Sequence, residues 1–349
     1  MLRPSDFHDL VSGRRKGFVA SAVRVVLRVA ETPYAAAVRH RNRRYDSNPA
    51  AIHRVGVPVV SVGNLTLGGT GKTPLVRWIA QWFRRRDVPV SIVSRGYGRR
   101  HARENDEALE LARELPDVPH LQNRDRVAAA REAVSRFGSR VIVLDDAFQH
   151  RRIGRDLDIV LLDAAEPFGY GHVFPRGTLR EPIEGLRRAD VVVLSRADMV
   201  GPAERASVRE EAGRLAPDAV WAEASHAPIA LVSADGRRQP TESLRGQPVA
   251  AFSGIGNPLG FRHTLDSCGY RVSAFREFAD HHRYGPADVE ALGKWAAGLD
   301  VAAVLCTHKD LVKLGVERLG PHPLLALTIG IEFLSGAETI EERLERRTL

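Results

Sequence analysis

Lys72 and Thr73, placed directly behind Gly68-Gly69-Thr70-Gly71, are the residues of this chain best suited to hold a polyphosphate. In a loop of this kind the backbone N–H groups converge on an anion at a helix N-terminus. The lysine ammonium meets the β- and γ-phosphates, and the threonine hydroxyl can ligate Mg²⁺. Gly68, Gly69, Thr70, Gly71, Lys72 and Thr73 are therefore the candidate nucleotide-binding residues, with ATP and Mg²⁺ as the implied cofactors. A strict Walker A loop has glycine at position 66, where this chain has Thr66, but the shorter GGxGKT signature is intact. A simple glycine turn would account for the glycines and not for Lys-Thr behind an apolar strand. Leu144-Asp145-Asp146 ends a second apolar run as a Walker B-type element does, which makes Asp145 and Asp146 candidate metal ligands beside Thr73. Transfer to a hydroxyl also needs a group to orient and deprotonate the acceptor. Asp106, Glu107, Glu181, His150 and His281 all have suitable chemistry, and spacing does not choose among them.

The elements that must position these groups alternate. Residues 57–62 are an apolar, β-branched run, broken only by Pro58 and Ser61, of the kind that is buried on both faces of a parallel sheet. Pro74 suits the first turn of the helix after the glycine loop, and Leu75, Val76, Trp78, Ile79 and Trp82 continue it amphipathically. Further strands are expected at 89–94, 141–144, 157–163, 190–194 and 219–224, with helices ending at Glu114 and spanning 125–137 and 202–215. Residues 164–188 form a long Gly/Pro-rich connection, a length that is usually functional in a compact domain. This alternation predicts an α/β fold: a P-loop NTPase-like, doubly wound parallel sheet with ligands at the strand carboxyl ends. A polar stretch with the hairpin signal Asp235-Gly236 reads as a two-stranded linker. A second strand-loop-helix series follows, with strands at 249–253, 271–275 and 301–306. The expected organisation is a basic N-terminal helical segment (1–45), a P-loop core (46–224), the linker (225–247) and a smaller C-terminal α/β domain (248–349).

The 349 residues carry a formal charge of +8, with 44% hydrophobic and 27% charged residues, the composition of a globular chain that prefers anionic partners. Cys268 and Cys306 lack metal-ligand spacing and read as free thiols in a reducing compartment. Residues 18–30 are too short to span a bilayer and are interrupted by Arg24 and Arg28, so no cleavable signal is expected. Those arginines share one helical face while Phe18, Val19, Val23, Val26, Leu27 and Ala30 lie largely elsewhere. Such a basic amphipathic helix suits an anionic membrane surface, or alternatively the protein's own core. No module of stacking aromatics accompanies the charge, so nucleic acid is not an expected partner.

The runs GNLTLGGTGKTP, SRGYGR, DEALELA, DDAFQHRRI, GTLREP, FSGIGNP and DHH stand in the order found in tetraacyldisaccharide 4'-kinases, the lipid A 4'-kinases. The chain resembles that family from residue 45 to residue 336. The resemblance implies transfer of the γ-phosphate of ATP to the 4'-hydroxyl of a tetraacylated disaccharide 1-phosphate at the cytoplasmic face of the inner membrane, with the N-terminal helix in peripheral contact. It implies Asp106 as base, paired with His281, Lys72 as the catalytic lysine, and Asp145 and Asp146 at the Mg-ATP site. It implies that Arg126, His150, Arg180 and Glu181 line the active site or the disaccharide 1-phosphate pocket as substrate-binding residues, with Arg95 in a family motif near it. Placing His281 in a different domain from Lys72 would let closure assemble the site only with both substrates bound. Three positions depart from the family pattern: Asn105 and Ala147 replace glycines, and His308 replaces a glutamate. The glycine loop alone would also suit a membrane-recruited switch ATPase acting on a protein partner, but Leu67 stands where that class carries an extra lysine.

Overall fold

The computed structural model describes residues 4–96, 106–280 and 282–349, with the side chains of residues 4, 5 and 106–109 outside that description. The chain begins with helices α1 (Pro4–Val11) and α2 (Phe18–Ser47), then β1 (Val59–Asn64), α3 (Lys72–Arg84), β2 (Val90–Ser94) and α4 (Asp106–Glu114). It continues through β3 (His120–Gln122), α5 (Arg126–Phe137), β4 (Val141–Asp145), β5 (Leu157–Asp163), β6 (Val191–Ser195), α6 (Pro202–Leu215) and β7 (Val220–Val232). The remainder is β8 (Arg238–Gln239), β9 (Pro248–Ser253), α7 (Pro258–Ser267), β10 (Arg271–Glu277), α8 (Pro286–Ala297), β11 (Ala303–Thr307), α9 (His308–Leu314), β12 (Arg318–Leu319), β13 (His322–Ser335) and α10 (Ala337–Thr348).

Two compact units result. The first comprises Met1–Arg103, Leu115–Ser225 and Glu332–Leu349; the second comprises Glu104–Glu114 and His226–Ile331. The first is a parallel sheet in the order β3-β2-β4-β1-β5-β6-β7. β1 lies between β4 and β5, where the order of the strands reverses, the position at which doubly wound sheets bind ligands outside the strand carboxyl ends. All six residues of β1 and all five of β4 are buried, because helices cover both faces. Asp125 starts α5 by accepting hydrogen bonds from Val127 N and Ala128 N, and Gly138, in the left-handed region at φ 64°, ends it.

In the second unit β10, β9, β11 and β13 pair in parallel, and β12 is antiparallel to β13. The period of two divides each strand between two cores. Val249, Ala251, Leu305 and Leu325 face one cluster with Phe261 and Leu265, while Ala250, Phe252, Val304 and Leu324 face another with Leu292 and Leu311. β8 pairs antiparallel with the end of β7 around a turn containing Gly236, as the Asp-Gly signal predicts.

α2 runs 30 residues, well past the stretch that sequence periodicity picks out, and contains Pro33. Polar groups dock its middle and end: Glu31 accepts from Val173 N at 2.7 Å, and Asn42 Nδ2 donates to Glu181 at 2.9 Å. Near its start, Phe18 (89% exposed), Val19, Val25, Val26 and Val29 stay in the open. At 100° per residue these fall on one face, with Arg24 and Arg28 outside it.

Candidate active site

The glycine loop joins β1 to α3 at the centre of the first unit's sheet. Gly71 caps α3 at φ 81° and Gly68 lies at φ 109°, both in the left-handed region that disfavours a side chain. A Cβ on Gly68 or Gly69 would meet nothing within 4 Å, so the loop borders open space. Its carbonyls are held from outside: Ser195 Oγ donates to Thr70 O at 2.8 Å, and Arg196 Nη2 donates to Gly69 O at 2.7 Å. Arg196 is in turn paired with Asp163. These bonds occupy the oxygen atoms that would otherwise repel an anion. Thr73 is buried, and so is Thr70, whose Oγ1 has no hydrogen-bond partner.

Asp146 is the electrostatic hub. Lys72 Nζ stands 3.4 Å from its Oδ1, and Arg180 grips both oxygens, at 2.6 Å and 3.1 Å. Asn64 Oδ1, at the end of β1, accepts from both cations, at 3.3 Å from Lys72 and 3.1 Å from Arg180. Burial alone would push the Asp146 carboxyl up, but Lys72, Arg180 and Arg126 outweigh it and hold the group well below the usual carboxylate range. Asp146 adopts φ 50°, uncommon outside glycine, whereas the next residue, Ala147, needs no positive φ. The alanine there therefore costs the loop nothing in backbone conformation. Gly63 answers a different need: a Cβ on it would lie 2.6 Å from Phe148 Cβ and 2.7 Å from Phe148 N. Only glycine in β1 lets the segment after Asp146 seat this close.

Arg126, the first residue of α5, is buried and donates through Nη2 to Asp146 O at 2.8 Å. Its Nε and Nη1 are buried without hydrogen-bond partners. Burial lowers its pKa, opposed by Asp146 and Asp145. His150 is half-buried, and burial followed by Arg126, Arg155 and Arg152 lowers its pKa to about 4. It is therefore neutral near pH 7, with a buried Nε2 that makes no hydrogen bond. Asp145 is buried beside the hub.

The structure thus brings together Lys72, Asp146, Arg180 and Arg126 at the glycine loop. Arg95 is exposed at the end of β2. Glu181 is fully buried and faces elsewhere, accepting from Arg188 (2.8 Å), Asn42 (2.9 Å) and Gln149 (3.1 Å). A Cβ on Gly185 would lie 2.7 Å from its Oε2, so the carboxylate is fitted closely into place. The side chain of Asp106 and the whole of His281 lie outside the described residues; Asp106 is the first residue of α4. Sequence reasoning missed Asn64, Ser195 and Arg196. Each ends or follows a buried apolar strand on the carboxyl side, and that position was the available signal.

The donor set fits a magnesium-bound nucleotide triphosphate. Thr73, Asp145 and Asp146 offer the hard oxygens that Mg²⁺ prefers, and Lys72 with the two orphaned donors of Arg126 suits phosphate oxygens.

A family model described as tetraacyldisaccharide-1-P 4'-kinase matches residues 23–348. A tetraacyldisaccharide 4'-kinase from Anaeromyxobacter sp. (strain K) is 40% identical, with 95% of this chain and 92% of that protein covered. Another from Syntrophus aciditrophicus is 35% identical, over 84% of this chain and 86% of its own length. Among solved structures, LpxK from Aquifex aeolicus in complex with ATP superposes with a TM-score of 0.73 at 28% identity, covering 94% of this chain and 100% of that one.

Proposed function

This chain belongs to the tetraacyldisaccharide-1-P 4'-kinase family, and from that we infer that its glycine loop and the Asp146 hub serve transfer of the ATP γ-phosphate to the 4'-hydroxyl of a tetraacyldisaccharide 1-phosphate. It is an ATP-binding kinase of lipid A biosynthesis. The observation that carries the residue-level reading is the Lys72–Asp146–Arg180 cluster, which places two cations and a carboxylate at the mouth of the GGTGKT loop.

Phosphoryl transfer asks mainly for positioning and charge neutralisation. Mg-ATP, when bound, supplies the phosphoryl group and, through the metal, neutralises charge on the β- and γ-phosphate oxygens. Thr73, Asp145 and Asp146 are the residues that would hold the ion. The backbone N–H groups of residues 68–73 would bind the phosphates, with the Thr70 and Gly69 carbonyls already restrained by Ser195 and Arg196. Lys72 and Arg180, held in place by Asn64 and Asp146, present positive charge to the group in transfer. Arg126 adds two buried donor nitrogens, Nε and Nη1, that an anion would satisfy. Asp106, assisted by His281, is the proposed base that takes the proton from the acceptor hydroxyl. Neutral His150 and exposed Arg95 are proposed contacts for the disaccharide 1-phosphate. Glu181 contributes by fixing Gln149, whose Nε2 also donates to Asn64 O at 2.8 Å.

The substrate's acyl chains reside in a membrane, and the open apolar face of α2 suits its interface. No helix among the described residues is long and apolar enough to cross a bilayer. The proposed mode is peripheral binding at the cytoplasmic face of the inner membrane, supported by the exposed apolar face of α2, which would lie against acyl chains with the adjacent arginines at anionic headgroups.

The test is incubation of the purified protein with Mg-ATP and a tetraacylated glucosamine disaccharide 1-phosphate in detergent micelles. A 1,4'-bisphosphorylated product detected by mass spectrometry is expected, with turnover lost on Lys72→Ala in a protein that remains folded. ATP hydrolysis without any glycolipid product would instead favour the switch ATPase.

A further inference from the structure

The second unit holds a cluster of side chains that phosphoryl transfer does not use. Glu110 and Glu114 lie one turn apart on α4, so their carboxylates share a helix face. His308 is the first residue of α9, and Thr307 caps that helix by accepting from Asp310 N. His308 Nδ1 stands 3.8 Å from Glu110 Oε1 and 3.8 Å from Glu114 Oε1. The three side chains are 9%, 12% and 14% exposed, respectively, so the cluster is largely removed from water. At 3.8 Å neither contact is a hydrogen bond. Nδ1 of His308 and Oε2 of Glu110 are both buried without hydrogen-bond partners.

We propose that Glu110, Glu114 and His308 bind a divalent transition-metal ion of the zinc class, which clasps α4 to α9. With a neutral imidazole the cluster carries two negative charges, which a dication balances. One ligand atom from each residue lies within 4.8 Å of the other two. Tetrahedral zinc with ligands at about 2.0–2.1 Å separates them by roughly 3.3 Å, so small rotations of two glutamates close the set. One imidazole nitrogen with two carboxylates suits Zn²⁺ or a neighbouring transition metal; Mg²⁺ and Ca²⁺ take oxygen ligands instead. Three protein ligands leave a fourth position for water. α4 begins at Asp106, so the ion would fix the helix that carries the proposed base.

Chelator-stripped full-length protein, titrated with Zn²⁺ by calorimetry in excess Mg²⁺, should bind one equivalent at this site. His308→Ala and Glu110→Gln should each weaken that event at least about tenfold. Zn²⁺ should slow hydrogen exchange of the α4 amides in the wild type and in neither variant. If circular dichroism shows His308→Ala to be misfolded, Glu114→Gln replaces it in the comparison. Zinc binding that is absent from the wild type, or equal in the wild type and the folded variants, overturns the proposal.

Discussion

Asp146→Asn should damage the protein in two separable ways. The substitution keeps the shape of the side chain and deletes its charge, which in the native chain faces Lys72 at 3.4 Å and Arg180 at 2.6 and 3.1 Å. A unit pair at 3.4 Å with an effective dielectric of about 20 has a gross attraction of about 5 kcal/mol. Much of this is offset by desolvation, and the three side chains are still 13–24% exposed. The net loss expected near pH 7 is about 2–3 kcal/mol, in the range for a charge-assisted hydrogen-bonded site. In a unit of this size that lowers Tm by roughly 5–10 °C. The folded pKa of Asp146 is depressed, so its contribution is fully present above the unfolded value of about 3.9 and is lost as pH falls through the folded value. Urea denaturation from pH 7 down to pH 3 should show a gap between wild type and variant that is constant to about pH 5 and then shrinks. Turnover with Mg-ATP should drop roughly 10³-fold through loss of a metal carboxylate. A variant as stable as the wild type, or a gap that widens on acidification, would refute the account of Asp146 as hub.

Asp106→Ala should lower kcat far more than it changes the KM for ATP, the signature of a group acting in the transition state; an unchanged kcat removes it from the reaction. Gly63→Ala forces a Cβ to within 2.6 Å of Phe148 and should cost about 1–3 kcal/mol, read as a lowered urea midpoint, whereas an unshifted midpoint would show that the close approach is not needed. His150 is neutral in the fold, with a pKa of about 4, while the unfolded chain protonates near 6.5. Stability should therefore fall by up to about 1.4 kcal/mol per pH unit from pH 6.5 towards 4, and His150→Gln should flatten that part of the profile. A profile unaltered by the substitution counts against His150 as its source.

The parts legible in the sequence were those fixed by short-range rules. The glycine loop follows from the spacing of Gly68, Gly71 and Lys72, and the strand before it from a β-branched run broken only by Pro58 and Ser61. The turn at Gly236 and the extent of α5 were equally local. What escaped depends on partners distant along the chain. Arg180 meets Asp146 across 34 residues and Asn42 meets Glu181 across 139, pairings that no periodicity encodes. The length of α2 was hidden by Pro33, a residue that ordinarily ends a helix but is carried here by docking through Glu31 and Asn42. The return of residues 332–349 to the first unit is a tertiary outcome, with Trp78 packing on Phe333 and Arg86 near Glu341.

Ser195 and Arg196 sit at the end of β6, two strands removed from β1, yet they set the course of Gly69 and Thr70. The cradle is thus shaped while the sheet assembles, and the entropic penalty of ordering it falls on folding rather than on nucleotide capture. Side chains that never touch the ligand thereby enter its dissociation constant.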